Sequence, residues 1–447
     1  MRICVINGSP KGRYSVTLQT VLYLQKRFPE HEFAVIHAGQ TIRGIEKDPG
    51  PALAELERAE LLLFCYPVYT FLAPSQLHRF IELIKAAGTP LAGKYATQIT
   101  TSKHFFDMTA HRYVEDNCHD LRLRVIHGLS ADMEDLLAEQ GRRDAEAFFR
   151  YVLFSVENGV YEPAPTLTDR PLPDYVPALP NRGKQPGFDT VVVADIAEGD
   201  GRLQRMLEDF TGCYPYPIRV LNLREMDIRG GCLGCFHCAG EGKCVYPDGF
   251  DRFLRERIQG ADAVVYAFSI RDHSMGSRFK MYDDRQFCNG HRTVTEGMPF
   301  GYIVSGDYEN EPNLRTVIEA RCEVGHNFLA GVGFDAASLK GMAKRLCYAL
   351  EHRYVQPRNF YGVGGMKIFR DLIWLMRGLM KADHEYYRRH GVYDFPQRKR
   401  LEMWKMCLLG GLVRNPKIRA KMGNKLNEGM IAPYEKAIRR AEGDGPL

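Results

Sequence analysis

The sequence predicts an α/β protein: two successive doubly wound parallel sheets of five strands each, followed by a helical C-terminal appendage. Three observations carry this reading. Short apolar runs alternate with segments of helical spacing through residues 1–160, the same five-run pattern returns after a proline-rich stretch, and the alternation stops after Pro357. A chain of 447 residues also exceeds what one hydrophobic core usually organises, so more than one domain is expected.

The elements follow in order. Residues 2–6 are a short apolar run, 15–28 have helical spacing, and 33–36, 61–65, 95–100 and 123–127 are further apolar runs, which completes a first set of five. Strands separated by helices imply right-handed crossovers and a parallel sheet covered on both faces. Residues 1–160 form this first domain. Residues 161–187 hold Pro163, Pro165, Pro171, Pro173, Pro177, Pro180 and Pro186, which disfavour helix and suit an extended linker. Runs at 190–194, 218–221, 263–268, 301–305 and 328–331, with a helix over 313–324, make a second domain of 188–356, so the chain reads as an internal duplicate. The first-to-third strand spacing is about 15 residues longer in the second set, a surplus that matches a cysteine-rich loop. Residues 357–447 read as a basic helical region with amphipathic segments at 367–381 and 400–409. Ile368, Leu372, Leu375 and Leu379 give the first of these its apolar face.

Composition narrows the function classes. Hydrophobic and charged fractions of 45% and 26% are those of a soluble globular protein. No apolar stretch reaches the roughly 18 residues that a spanning helix needs, so no transmembrane segment is expected. Residues 1–6 read as a strand rather than as a leader, so no secretory signal is expected. Twelve cysteines, four of them crowded between Cys232 and Cys244, fit a reducing, cytoplasmic setting with metal or redox roles better than a disulfide framework. The net charge of +5 conceals an asymmetry: residues 357–447 carry 19 Lys and Arg against 9 Asp and Glu. Packing of this basic region on the acidic remainder of the chain is the favoured reading, ahead of peripheral membrane or partner contact. Nucleic acid is not expected, because no recognised binding module is present.

In doubly wound sheets, ligands bind beyond the carboxyl ends of the strands, which directs attention to the loop leaving the first strand. It reads Gly8-Ser9-Pro10-Lys11-Gly12-Arg13-Tyr14-Ser15-Val16-Thr17. Ser9, Ser15 and Thr17 offer hydroxyl donors, Lys11 offers charge, and a helix opening near Ser15 points free amides at an anion. A phosphate monoester fits that set. The loop lacks G-x-x-x-x-G-K-[ST] and G-x-G-x-x-G, which weakens ATPase and dinucleotide readings. The loop after the third run, Tyr66-Pro67-Val68-Tyr69-Thr70-Phe71-Leu72-Ala73-Pro74, leads into a helix over 75–87 at the same sheet edge. Tyr69 and Phe71 can flank an aromatic ring system, and amides around Val68 to Thr70 can bond its polar edge.

Together these loops resemble the NADPH-dependent FMN reductase family of flavodoxin-like proteins. The shared features are the opening Gly8-Ser9-Pro10-Lys11, the closing Ser15-Val16-Thr17, and Pro67-Val68-Tyr69 with Pro74 after strand three. The resemblance covers about residues 1–150. It implies an FMN phosphate held by Ser9, Lys11, Ser15, Val16 and Thr17, and an isoalloxazine beside Pro67, Val68, Tyr69 and Thr70. The loop after strand four would also meet the flavin, from Thr101 onward, although Ser102-Lys103-His104 departs from the family's glycine-rich version. NAD(P)H as donor and a homodimer are further implications, and the internal duplication offers the same pairing within one chain.

Cys232-x2-Cys235-x2-Cys238-x5-Cys244, interleaved with glycines, is compact enough for one four-cysteine cluster. Zinc more often takes two C-x2-C pairs set far apart and is the second choice. The motif resembles that of iron-sulfur flavoproteins, a subset of the same family, which implies a 4Fe-4S cluster on these four residues; similar cysteine patterns also occur in members without an evident cluster. In the second domain the loop over 194–202 presents Asp195, Glu198 and Asp200 where a phosphate would need donors, so one FMN is expected, in the first domain. The segment from Ser274 to Arg285 keeps a likeness to the family's third loop.

The expected function is that of an FMN-dependent NAD(P)H oxidoreductase passing electrons to an unidentified acceptor, directly or through a cluster. A non-enzymatic flavin or iron-sulfur electron carrier is the alternative. The cofactor supplies the chemistry, so no catalytic residue is expected, and His104 and His273 read as structural or solvent-exposed.

Overall fold

In the computed structural model the first sheet contains β1 (Arg2–Asn7), β2 (Glu32–Ile36), β3 (Leu61–Pro67), β4 (Tyr95–Ser102), β5 (Arg124–Val125) and β6 (Leu129–Asp132). The structure describes residues 1–165, 172–418, 428, 431–432 and 434–435. All strand pairs are parallel, in the order β2-β1-β3-β4-β5, with β6 also beside β4. The sheet therefore has six strands where five are predicted. The run at 123–127 breaks because the chain steps around Gln98, whose side chain fills the place a Cβ would take at Gly128; pairing with β4 resumes at Leu129. The helices of this half are α1 (Val16–Arg27), α2 (Ala38–Lys47), α3 (Gly50–Arg58), α4 (Ser75–Ala87), α5 (Asp107–Asp120) and α6 (Glu139–Asn158).

The second sheet contains β7 (Thr190–Ala194), β8 (Ile218–Asn222), β9 (Ala263–Ser269), β10 (Pro299–Ser305) and β11 (Phe328–Gly333), in the order β11-β10-β9-β7-β8. Its helices are α7 (Gly201–Cys213), α8 (His237–Glu241), α9 (Phe250–Phe253), α10 (Gly276–Arg285), α11 (Pro312–Gly325) and α12 (Ala336–His352). Numbered from the start of each half, both sheets run 2-1-3-4-5, the flavodoxin-like order. Central strands such as β1 and β3 are apolar and almost completely buried, as parallel strands covered on both faces must be. The predicted fold class is the one observed.

One continuous core joins the two halves, with Phe64 of β3 and Leu77 and Phe80 of α4 from the first and Val264 and Tyr266 of β9 and Phe279 of α10 from the second. At this seam α4 and α10 cap one another. Ser75 N at the start of α4 donates to Asp284 Oδ2 of α10 at 2.8 Å, and Ser277 N in the first turn of α10 donates to Glu82 Oε1 of α4 at 2.7 Å. In both helices the serine and the carboxylate stand seven residues apart. Each carboxylate thus satisfies an amide that a helix start leaves unpaired and sits at the positive end of the partner's dipole.

The described part of the linker is irregular up to Thr190, and Tyr175 pins it to α7 by donating to Asp209 Oδ2 at 2.5 Å. Residues 166–171, including Pro171, lie outside the described residues. The chain divides into two compact units, Met1–Tyr387 and Arg388–Leu447. The predicted helix over 367–381 is two helices, α13 (Phe360–Leu375) and α14 (Lys381–Arg389), followed by α15 (Arg400–Val413). Its buried side also differs: Gly365, Met366 and Ile373 face inward, while Leu375 and Leu379 are exposed. The cause is the approach to Phe105, which contacts Phe369 at 4.3 Å between ring centroids and leaves no room for a side chain at Gly365. Most of the predicted basic region after residue 418 lies outside the described residues.

Candidate functional site

The loop after β1 is held from below. Asn7 Nδ2 donates to Gly12 O at 2.9 Å, Ser9 N donates to Asn7 Oδ1 at 3.1 Å, and Gly8 N donates to Cys65 O of β3 at 2.9 Å. Helix α2 closes on the same loop so tightly that a Cβ at Gly39 would meet Gly8 O. Ser15 caps α1 by accepting from Leu18 N at 3.4 Å, and Thr17 Oγ1 meets Thr101 Oγ1 at 2.7 Å, tying the helix start to the end of β4. The opening of α1 therefore presents hydroxyls and amides into the cavity that this loop borders.

The loop after β3 makes a tight turn, with Tyr69 N and Leu72 O at 2.8 Å and both Thr70 and Phe71 at positive φ. The Tyr69 amide, expected to face a flavin edge, is thereby committed to the turn. Phe71 is buried against Phe105 and Phe106 instead of standing free. The second half holds the turn: Lys280 Nζ donates to Tyr69 O at 2.9 Å and to Thr70 Oγ1 at 2.6 Å, and pairs with Asp284, which also accepts from Thr70 Oγ1 at 2.9 Å. Both charged side chains are fully buried. Burial pushes the Asp284 carboxyl up, against the pull of Lys280.

The cysteine segment lies across these two loops. A Cβ at Gly231 would strike Ser75 Oγ, and one at Gly234 would strike Tyr69 Oη, so only glycine permits this approach. Lys11 Nζ sits 5.0 Å from the centre of the Phe236 ring, and burial lowers its pKa, against the opposing pull of Cys232 and Cys235. Burial pushes the Cys232 thiol well up and Cys238 up to about 11. Cys238 Sγ donates to Phe287 O at 2.8 Å, and Cys235 is exposed. Among the described residues, no group of three or more His, Cys, Asp or Glu side chains gathers closely enough to hold a metal ion. In this arrangement the four thiols share a wall without forming a ligand set.

Every site residue predicted from the sequence, the four cysteines included, lines one cavity of about 330 Å³. That volume lies at the lower end of the range for small-molecule sites, about 300–1,000 Å³. Sequence reasoning missed its far wall: Phe287, His291 and Arg292 after α10, and Phe369 and Leu372 of α13. His291 is fixed by the fully buried Asp383 of α14, with Nδ1 and Oδ2 3.0 Å apart. Asp284 is the sole acidic side chain lining the cavity among the described residues. Of the lining cations, Lys103, Arg285, Arg292 and Arg321 pair with carboxylates, whereas Lys11 makes no ion pair among the described residues.

The corresponding edge of the second sheet is differently built. Asp195 is buried in a pair with Arg224 at 2.7 Å, and Asp200 accepts from Leu203 N at 3.4 Å and from Ser269 Oγ at 2.6 Å. Carboxylates there occupy the donors an anion would use. His104 meets Asp107 at 2.8 Å and His273 bridges Asp120 and Glu311, so both belong to surface or interface networks.

Among curated proteins, none matches the chain. Solved structures resemble about a third of it. An NADH:FMN oxidoreductase in its apo form is 21% identical, covering 34% of this chain and 89% of its own, with a TM-score of 0.30. An NADPH-quinone reductase from P. pentosaceus is 15% identical over 34% of this chain and 97% of its own, with a TM-score of 0.28. An FMN-dependent NADH-azoreductase from Bacillus anthracis is 15% identical over 34% and 98%, with a TM-score of 0.27. The family model described as a flavodoxin-like fold matches residues 1–127, the segment that carries β1 to β5 and both loops of the candidate site.

Proposed function

We propose that the chain is an FMN-dependent NAD(P)H oxidoreductase with one flavin, bound at the carboxyl edge of the first sheet. The observation that carries this reading is the cavity in which Ser9, Ser15, Thr17 and Lys11, which makes no ion pair among the described residues, converge with the turn at residues 67–70. These residues fit FMN by their donor chemistry. Hydroxyls and the first amides of α1 suit a phosphate, Lys11 adds charge at the same end, and the turn with Tyr69, Phe236 and Phe287 forms an aromatic wall. When bound, FMN supplies acceptance of a hydride from a nicotinamide and its release to an acceptor as a pair or singly. The chain's own task is to hold the phosphate and to fix the turn through Lys280 and Asp284. The second sheet lacks a comparable donor set, which supports one flavin per chain, and the shared strand order and mutual caps support an origin by duplication.

A second reading is a 4Fe-4S cluster on the four cysteines of the cavity wall, which would require these thiols to gather from the arrangement described above into one ligand set. No step requires it. The test is steady-state NADH and NADPH oxidation by flavin-loaded protein with ferricyanide or a quinone as acceptor, alongside iron analysis of anaerobically purified protein. Turnover that depends on FMN is expected. A flavin-loaded protein that neither nicotinamide reduces sinks the reductase reading in favour of an electron carrier, and absence of iron removes the cluster.

A further inference from the structure

Helix α15 carries Leu401, Met403, Trp404, Met406, Leu408 and Leu412, each between 50% and 65% exposed. Leu401, Trp404, Leu408 and Leu412 recur at intervals of three, four and four residues, which aligns them on one face of a helix with 3.6 residues per turn; Lys405 shares that face, and the exposed Met403 and Met406 extend the apolar surface to the opposite side. A helix in a globular protein normally turns such a stripe toward a core, and an open stripe marks an interaction surface. The surrounding sequence is strongly basic. Residues 388–418 hold eight Lys and Arg against two Asp and Glu, with Lys399 and Arg400 at the helix start, Lys405 within it and Arg414 just past its end.

We infer that α15 is a membrane-surface helix that docks on anionic phospholipid. Its leucines and Trp404 would enter the boundary between headgroups and acyl chains, while the flanking lysines and arginines meet the phosphates. The charge selects this occupant. A second copy of the chain would set two segments of the same strong positive charge against each other, whereas an anionic headgroup layer complements both the apolar stripe and its basic ends. The helix lies on the surface and does not cross it, since no helix among the described residues is long and apolar enough to span a membrane. This inference does not depend on the flavin assignment.

The experiment is sedimentation of the full-length protein with vesicles of phosphatidylcholine alone or with about 30% phosphatidylglycerol, with tryptophan emission followed in parallel. The chain has two tryptophans, Trp374 and Trp404, so comparison with W404F isolates the signal of α15. Binding about tenfold or more stronger to the anionic vesicles is expected, with a blue shift of Trp404 emission. The double variant L401E/L408E should lose that binding while keeping the parent's far-UV spectrum and hydrodynamic size. Equal binding to both vesicle types, an unshifted emission, or undiminished binding of L401E/L408E overturns the proposal. So does a dimer in size-exclusion chromatography that L401E/L408E dissolves, which would make this face a contact between copies.

Discussion

His273 shows how one side chain is set by its neighbours across the seam. Burial alone would lower its pKa, but the hydrogen bonds and charges of Asp120 and Glu311 prevail and hold it up at about 10. The folded value thus lies above the unfolded one of about 6.5, so the group's contribution to stability is fully present below about pH 6.5 and lost as pH rises toward about 10. In H273Q the difference from the parent should be about 1–3 kcal/mol at pH 6 and shrink steadily by pH 10, measured by urea unfolding. Parallel stability curves for parent and variant across that window would show that His273 does not carry the effect.

At the scale of elements, the seam rests on the mutual capping of α4 and α10, and the two caps are unequal. Glu82 accepts from Ser277 N and Oγ, both at 2.7 Å, and is partly exposed, so E82A should cost about 1 kcal/mol, the usual value for a lost cap. Asp284 also neutralises Lys280 in a fully buried pair, so D284A leaves the buried Lys280 ammonium with only Asp283, 3.8 Å away and already paired with Arg321, and should cost about 3–5 kcal/mol. The same change removes the acceptor of the Thr70 hydroxyl, while the bonds of Lys280 to Tyr69 O and Thr70 Oγ1 remain to hold the turn. Equal urea midpoints for the two variants would contradict this ranking. The sequence carried part of the picture: the segment from Ser274 to Arg285 was singled out by its likeness to the family's third loop, yet nothing in its spacing says that Lys280 reaches Tyr69 and Thr70, more than 200 residues away.

For the whole molecule, legibility follows the range over which the deciding interactions act. Strands such as β1, β3, β7 and β9 were readable because a parallel strand covered on both faces is an uninterrupted apolar run. The loop from Gly8 to Thr17 was readable because its donors lie within ten contiguous residues. The break between α13 and α14, the step at Gly128 and the pairing of His291 with Asp383 were not, since each depends on packing between remote segments. The central claim joins both kinds: a contiguous phosphate loop, facing a wall supplied by the second half, makes a single flavin site. Its most direct test is the FMN content of the purified chain beside that of S9A/S15A/T17A, with folding of both checked by far-UV circular dichroism. The account predicts about one FMN per parent chain and none on the folded variant. A parent that binds no FMN even on reconstitution, or a variant that retains it in full, would contradict it.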